Sequence, residues 1–269
     1  MFENKTELHF WSDDAATCLI ASFISRGVYM TAAFILLCLI IIYGVIPTIL
    51  IRQMGLGIYK KGLKEGAIAL TFDDGPDPYY TPQLLDLLKK HGVKATFFVV
   101  GKKAKQHPEI IRRMHEEGHE IGLHNYRHVS NWFVLPLFLQ QGLHKSARII
   151  EEITGQRPIY YRPPWGHFNI FTWLVQAKYK TIMWTHILGD WKERVGVHGL
   201  FQRLKNSLTD RAIIVLHDSG ETFGADEKAP GNMISALELL LEEEKAQKME
   251  WVTISDMMNV QTNKQISSM

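Results

Sequence analysis

The chain reads Ala67-Ile68-Ala69-Leu70-Thr71-Phe72-Asp73-Asp74-Gly75-Pro76 where an apolar segment runs into two adjacent carboxylates. The Gly-Pro pair interrupts regular structure directly behind them. We interpret this segment as a buried strand that ends in an acidic edge. Neighbouring residues that leave a strand end can point in different directions, so one carboxylate can bind a cation while the other moves a proton. Taken alone, these residues are equally consistent with an ordinary turn, because Asp and Gly both favour turns.

Apolar, strand-like runs recur after this segment, and helix-like stretches separate most of them. The runs lie at 67–72, 95–100, 119–123, 159–162, 181–186, 212–216 and 251–254. Among the stretches between them, 81–90 carries a leucine face and 108–117 begins with a proline, which is favoured in the first helical turn. This alternation predicts an α/β fold with a parallel sheet. Seven units without a compositional break favour a closed or nearly closed barrel over an open sheet.

A long apolar segment precedes this region. Residues 28–51 contain no charged side chain, and Arg26 and Arg52 flank them. As an α-helix the segment would be about 36 Å long, which exceeds the roughly 30 Å thickness of the hydrocarbon layer. No small-x-small cleavage site clearly follows it. We therefore predict an uncleaved N-terminal transmembrane helix that contacts the lipid bilayer.

Composition and charge limit the remaining organisation. No linker divides the region that follows the apolar segment, and the net charge of +2 comes without a basic stripe that would indicate nucleic-acid binding. The two cysteines, Cys18 and Cys38, both lie near the N-terminus, so no disulfide or cysteine metal site is expected beyond them. The predicted division is an unassigned segment at 1–27, a transmembrane helix at 28–51, a juxtamembrane linker at 52–64, one large domain at 65–257 and a tail at 258–269.

Chemically reactive side chains fall at the ends of the predicted strands. Asp73 and Asp74 follow the first strand, and His124 and His128 follow the third. Because the carboxyl ends of parallel strands share one edge of a sheet, we expect these side chains to lie together. Two imidazoles four residues apart can face one side of a helical turn. With one carboxylate they form a two-His, one-carboxylate set, which binds catalytic zinc and leaves a coordination position for water.

Five motifs occur in an order that resembles one known family. They are Thr71 to Pro76, Gly118 to His128, Arg162 to Gly166, Asp190-Trp191 and Leu216-His217-Asp218. Over residues 65–257 the chain resembles the polysaccharide deacetylase family with the NodB-homology domain, carbohydrate esterase family four. The resemblance implies a deformed (β/α)7-type barrel and a metal-dependent hydrolase that removes N-acetyl groups from the amino sugars of a polysaccharide or oligosaccharide such as peptidoglycan or chitin.

The resemblance also implies which residues bind and activate the substrate. Asp74, His124 and His128 would hold a divalent metal. Zinc fits these ligands, although cobalt, nickel and manganese also accept nitrogen and oxygen donors. The metal would polarise the acetyl carbonyl and activate water, and Asp73 would be the general base. The backbone N–H of Trp165 would stabilise the oxyanion.

The remaining motif residues would complete the reaction. His217 would protonate the leaving amine, and Asp190 would keep its imidazole charged. Arg162 would fix the general base, and Trp191 and Leu216 would form the pocket for the acetyl methyl group. The family's substrates lie mostly outside the membrane, so we expect an extracytoplasmic domain. The excess of basic residues after the apolar segment favours the opposite orientation, but long folded domains are translocated largely regardless of flanking charge.

Two residues depart from the family's pattern. Asn125 follows the first histidine ligand where the family usually has Ser or Thr, and Ile187 stands where the fourth motif usually begins with a second Asp. The missing carboxylate leaves a second hypothesis open, a catalytically degenerate and membrane-anchored module that binds glycan. A third, an iron oxygenase with two His and one carboxylate, gives Asp73 and His217 no role.

Overall fold

The computed structural model describes residues 12–258. Residues 1–11, which belong to the unassigned segment predicted at 1–27, lie outside the described residues. So do residues 259–269, which make up nearly all of the tail predicted at 258–269.

A parallel sheet forms the centre of the domain. Its strands are β1 (Ile58–Tyr59), β2 (Ala67–Asp73), β3 (Thr96–Val99), β4 (Glu120–Leu123), β5 (Tyr160–Tyr161), β6 (Lys180–Ile182), β7 (His186–Ile187), β8 (Ile213–His217) and β9 (Glu250–Trp251). They follow the order β1-β6-β5-β4-β3-β2-β8-β7, with β9 paired to β2. All of these pairings are parallel, which confirms the predicted parallel α/β sheet.

The sheet is a curled half-barrel, which differs from the expected closed or nearly closed barrel. Within residues 12–258 no pairing joins the two ends of the strand order, β1 and β7. Each of these edge strands is only two residues long, so few backbone groups are available to bridge the gap. Part of the predicted linker at 52–64 belongs to the sheet. Ile58 and Tyr59 form β1 and pair with β6.

Helices connect the strands and cover the sheet. They are α1 (Ser12–Ile40), α2 (Ile46–Met54), α3 (Tyr80–Lys90), α4 (Gly101–Gln106), α5 (Pro108–Glu116), α6 (Pro136–Thr154), α7 (Thr172–Gln176), α8 (Gly196–Asn206), α9 (Ala229–Glu242), α10 (Glu244–Gln247) and α11 (Ile254–Met258). The predicted helix signals are visible at their ends, since Pro108 and Pro136 begin α5 and α6 and Gly155 ends α6 with a left-handed φ of 73°. The leucine face predicted at 81–90 is the buried face of α3.

The alternation of side chains along the strands divides the core into two layers. Ile214 and Leu216 of β8 belong to the large cluster between the sheet and its helices, whereas Ile213 belongs to a smaller cluster on the other face. In the same way Phe97 and Phe98 of β3 point into different layers. Successive side chains of a strand point to opposite faces of the sheet, so every second residue faces the inside of the half-barrel.

The apolar N-terminal segment forms one continuous rod, in which a π-helical turn at Ile41–Val45 joins α1 to α2. Within it, Arg26–Met54 is long and apolar enough to cross a membrane. Length and composition make it a candidate span. A signal sequence near the N-terminus would satisfy the same criteria.

Candidate active site

The two adjacent aspartates at the end of β2 have different partners. Asp73 is the last strand residue and lies in register beside His217 of β8. Asp74 follows with a left-handed φ of 78°, a conformation that Asp tolerates better than most residues. Both carboxylates are buried, but Asp73 contacts an arginine and Asp74 contacts two histidines. The change of backbone direction thus gives two adjacent carboxylates two separate sets of contacts.

Arg162 is fully buried and holds Asp73 in place. Its Nη1 donates to Asp73 Oδ1 and to Thr71 Oγ1, both at 2.7 Å. Nε and Nη2 donate to the backbone carbonyls of Ile182 and Met183 at 3.1 and 3.0 Å. A buried charge is costly unless its hydrogen bonds are satisfied, and here each guanidinium nitrogen has an acceptor. The position of the Asp73 carboxylate is therefore set by a rigid cation.

Asp74, His124 and His128 converge on one point. Nε2 of His124 lies 3.2 Å and Nε2 of His128 lies 3.0 Å from Asp74 Oδ1. His124 Nδ1 lies 2.7 Å from the backbone oxygen of Arg162. A carbonyl oxygen only accepts, so Nδ1 of His124 donates to it and Nε2 is the ring atom that faces the carboxylate. Nitrogen atoms this close to one carboxylate oxygen are joined to it either by a hydrogen or by a bound cation.

The protonation of this cluster also suits a metal ion. Burial alone would raise the pKa of Asp74, but hydrogen bonds with His124 and His128 hold that pKa well below its usual value. Burial lowers the pKa of His128, although Asp74 acts in the opposite direction. Metal ligands must be ionised carboxylates and neutral imidazoles. One nitrogen or oxygen from each of the three residues lies within 4.8 Å of the others, so this donor set fits a divalent metal.

His217 and Asp190 form a second polar pair. Nδ1 of His217 lies 3.1 and 3.2 Å from the two carboxylate oxygens of Asp190, and the backbone N–H of His217 donates to Asp190 Oδ2 at 2.6 Å. Burial lowers the pKa of His217, but the charge and hydrogen bonds of Asp190 outweigh it and raise that pKa to about 10. The imidazole is therefore protonated at neutral pH, with Nδ1 engaged and Nε2 left for another partner.

One cavity of about 210 Å³ brings these groups together. Asp73, Asp74, His124, His128 and His217 all line it. Its apolar wall is formed by Trp165, Trp184, Ile187, Trp191, Val215 and Phe223.

Two residues on the wall of this cavity have particular geometry. Trp165 has a left-handed φ of 53°, and its ring meets that of His128 edge to face at a centroid distance of 4.2 Å. Trp191 packs edge to face on His217 at 5.3 Å.

The structure places Leu216 away from this cavity. Leu216 is fully buried in the cluster between the sheet and its helices, and Val215 lines the cavity in its place. The reason is the period of the strand, because residues 215 and 217 share one face of β8 and residue 216 points to the other. Besides His217, the residue of this strand that lines the cavity is therefore Val215, not Leu216.

A comparison with known proteins identifies the family. A family model described as polysaccharide deacetylase matches residues 60–183. Peptidoglycan-N-acetylglucosamine deacetylase of Bacillus cereus is 32% identical over 198 residues, which cover 72% of this chain and 89% of that relative. The chain belongs to the polysaccharide deacetylase family.

Other members of the polysaccharide deacetylase family extend the comparison. Peptidoglycan-N-acetylmuramic acid deacetylase PdaA of Bacillus subtilis is 36% identical over 165 residues, which cover 59% of this chain and 62% of the relative. The crystal structure of the Bc1960 peptidoglycan N-acetylglucosamine deacetylase superposes with a TM-score of 0.68 at 28% identity, covering 77% of this chain and 95% of that one. The chain spans only 46% and 38% of the length of two further relatives.

The polysaccharide deacetylase motifs contain one residue whose function is visible only in three dimensions. Asn125 has a left-handed φ of 61°, and its side chain donates to the backbone oxygen of Val129 and to Asn131 Oδ1, both at 3.0 Å. The hydroxyl of Tyr161 donates to Asn125 Oδ1 at 3.0 Å. These hydrogen bonds fix the conformation of the loop between His124 and His128. Asn125 therefore supports the spacing of the two histidines.

The second departure, Ile187, lies on the cavity wall and is about half exposed. Besides Asp73, Arg162 donates to the carbonyls of Ile182 and Met183 and to Thr71, so each guanidinium nitrogen has an acceptor without residue 187. The cavity wall also includes Trp184 and the loop 222–225, which carried no recognisable sequence motif.

Two histidines near the motifs are explained by other contacts. His167 stacks on Trp132, with a distance of 3.9 Å between the ring centroids and an angle of 10° between the ring planes. His186 Nδ1 lies 2.9 Å from the hydroxyl of Thr185. The three histidines that line the cavity are those of the motifs, His124, His128 and His217.

Proposed function

We propose that this protein is a metal-dependent hydrolase that removes acetyl groups from the N-acetylated amino sugars of a cell-wall glycan, with peptidoglycan as the first candidate. The observation that carries this proposal is that one cavity contains a candidate base, a candidate acid and a candidate metal site. The candidate base is Asp73, held by Arg162, and the candidate acid is His217, paired with Asp190. The candidate metal site is the set Asp74, His124 and His128. Relatives named for N-acetylglucosamine and for N-acetylmuramic acid support the substrate class and leave both sugars as candidates.

Amide hydrolysis requires three contributions from the site. The carbonyl must be polarised, a water must lose a proton, and the amine must gain a proton before it leaves. A divalent metal held by Asp74, His124 and His128 would supply Lewis acidity when bound. Zinc suits the donor set, and cobalt, nickel and manganese are further candidates. The protein's own residues account for the other contributions.

Asp73 is the residue we assign to the first proton transfer. Arg162 holds it through Oδ1, so the carboxylate keeps a fixed orientation while it accepts a proton from the attacking water. The tetrahedral species that follows carries negative charge on the former carbonyl oxygen. We assign the backbone N–H of Trp165 to this oxygen, and one such donor contributes about 3 kcal/mol to the transition state. Trp191 and Val215 would enclose the acetyl methyl group.

His217 is the residue we assign to the second proton transfer. An amine leaves readily only after protonation, and the imidazole of His217 carries a proton at neutral pH because Asp190 raises its pKa to about 10. Asp190 engages Nδ1, so Nε2 is the atom that donates to the leaving nitrogen. The product amine then departs with the sugar, and acetate is the second product.

We further propose that residues 28–51 anchor the protein in a membrane as a single span and that residues 65–257 form the catalytic domain outside the cytoplasm. The candidate span Arg26–Met54 and the cell-wall substrates of the relatives support this arrangement. Protease treatment of intact cells tests it, because an extracytoplasmic domain is cleaved without lysis.

The decisive experiment measures acetate and free amine released from N-acetylglucosamine oligomers and from purified peptidoglycan by the full-length protein. We expect release, its loss with a chelator, and its return with added zinc, cobalt, nickel or manganese. The second hypothesis, a glycan-binding module, is motivated by Ile187. Binding of these glycans by metal-loaded protein without any release of acetate would favour that hypothesis over catalysis.

A further inference from the structure

A group of large apolar side chains is exposed on the catalytic domain, and we call it the apolar patch. It consists of Phe133, Leu135, Leu137, Phe138, Ile170 and Trp173, of which all but Ile170 are at least 60% exposed. The two segments that carry it, 129–144 and 163–177, contain no Asp, Glu, Lys or Arg. The two segments lie side by side, since Asn169 Nδ2 of one donates to the backbone oxygen of Asn131 of the other at 3.0 Å. Single exposed apolar residues are ordinary, but six on two adjacent uncharged segments mark an interaction surface.

The segments that carry the apolar patch are packed against the candidate membrane helix. Gly44 of the π-helical turn lies so close to Trp132 that a Cβ atom would come within 2.5 Å of the indole ring. The hydroxyl of Tyr43 donates to the backbone oxygen of Val134 at 2.8 Å, and the backbone N–H of Ile170 donates to the oxygen of Tyr43 at 3.0 Å. Both segments of the patch are thus fixed at the level of residues 43 and 44.

A buried threonine strengthens this contact. Thr48 Oγ1 accepts from the backbone N–H of Phe168 at 2.8 Å and from Trp132 Nε1 at 2.9 Å, and it donates to the oxygen of Phe168 at 3.0 Å. A π-helical turn is uncommon within an α-helix and often marks a functional position. Here it lies where the helix meets the domain. The helix and the patch therefore form one surface.

The length of the helix sets the depth of the patch. The rise from Gly44 to Ile51, the last residue of the uncharged run, is about 10 Å along a helix axis. The run from 28 to 51 exceeds the hydrocarbon thickness by about 6 Å. Even if all of this excess lies on the side of the domain, Gly44 remains about 4 Å below the hydrocarbon boundary. Loops that pack on Gly44 must then lie at the membrane interface.

We propose that the apolar patch inserts into the outer boundary of the same bilayer that the helix spans, so that the catalytic domain rests on the membrane. Lipid is the occupant that the observations favour, since the patch is uncharged and continuous with the span. Exposed Trp and Phe side chains are typical of segments that lie in the membrane interface.

The catalytic cavity would then open beside the membrane. Trp184 lines the cavity, and its ring lies 5.6 Å from the guanidinium carbon of Arg52 at the end of the span. Trp165, on the same wall, lies near His167, which stacks on Trp132 beside Gly44. Glycans held close to the membrane surface are therefore the substrates that this cavity can reach.

The test measures membrane depth on the full-length protein in lipid vesicles. Cys18 and Cys38 are replaced by Ala, and single spin labels are attached through Phe138→Cys and Trp173→Cys on the patch. Phe34→Cys, at an exposed position of the span, serves as the label for lipid. Leu239→Cys, an exposed apolar position on α9, which packs on α3 and α8, is the matched control. Collisions with oxygen report lipid, and collisions with a water-soluble nickel complex report water.

We expect the labels at Phe138 and Trp173 to resemble that at Phe34, with high oxygen and low nickel accessibility, and the label at Leu239 to be accessible to nickel. Nickel accessibility at both patch positions would overturn the proposal while leaving the span intact. Protection of the patch from both reagents would also overturn it, because a protein would then cover the patch. High nickel accessibility of the label at position 34 would overturn both the proposed span and this proposal. None of these readouts depends on turnover, so they are independent of the proposed deacetylation.

Discussion

His128 and His217 line the same cavity but have opposite pKa shifts. Burial lowers the pKa of His128 even though Asp74 lies 3.0 Å away. His217 is also buried, but Asp190 raises its pKa to about 10. The difference lies in how each carboxylate is shared. Asp74 contacts two imidazoles through one oxygen, whereas Asp190 places both oxygens on a single imidazole.

This contrast would allow one residue type to serve two purposes within one cavity. A histidine that binds a metal must be neutral, and a histidine that acts as a general acid must be protonated. Pairs of groups whose surroundings move their pKa values apart are typical of acid and base assignments in enzymes. The surroundings of the two side chains therefore suit His128 to metal binding and His217 to proton donation.

The largest expected effect comes from removing the shared carboxylate. Asp74→Asn takes away the charged ligand, so we expect activity to fall to the level of the metal-free protein, a loss beyond the roughly 100-fold that follows loss of a mere supporting partner. Metal content after dialysis and kcat/KM on an N-acetylglucosamine oligomer measure this. Asp86→Asn, at an exposed carboxylate on α3, is the control and should retain both. Full metal content in Asp74→Asn would contradict the ligand assignment.

Removing the acid should leave metal binding intact. We expect His217→Ala to lower kcat/KM by about 10²–10⁴-fold, because the amine then leaves without a positioned proton donor. Metal content should match that of the wild type, which separates this variant from Asp74→Asn. His198→Ala, at an exposed position on α8, serves as the control. Loss of metal from His217→Ala would show that the two histidine environments are not independent.

Much of the candidate site could be predicted from the sequence, because the motif residues follow predicted strands and a parallel sheet brings the ends of its strands together. The choice between Val215 and Leu216 could not, since it depends on which face of β8 meets the cavity. The supporting contacts of Asn125 join residues far apart in sequence. Barrel closure depended on the lengths of two edge strands, which hydrophobic runs do not define.

The pKa of His217 offers a finer test of the difference between His128 and His217. Because the folded protein raises the pKa of His217, the protonated form is present at neutral pH and is lost as pH rises through about 10. Asp190→Asn removes the charge that causes this increase, so the alkaline limb of kcat/KM should move to lower pH, by about one unit or more. Activity at low pH should change less than activity at high pH. An unchanged alkaline limb would exclude His217 as the titrating acid.

The smallest expected effect concerns Ile187, and it distinguishes catalysis from binding. Ile187→Asp introduces a carboxylate on the cavity wall, but Arg162 already donates to Asp73, Thr71 and two backbone carbonyls. We therefore expect kcat/KM to change by less than about tenfold, since each guanidinium nitrogen already has an acceptor without the new carboxylate. Ile187→Asn is the matched control for size and polarity without charge, and the measurement is acetate release from the same oligomer.

A gain from no detectable activity to measurable turnover in Ile187→Asp alone would have a different meaning. It would show that the carboxylate is required for Asp73 to act as a base, and that the native chain binds glycan without hydrolysing it. Equal activity in the wild type and both variants would instead show that the buried guanidinium group alone is sufficient to orient Asp73. The backbone carbonyls of Ile182 and Met183, together with Thr71, would then be sufficient partners to hold Arg162 in place.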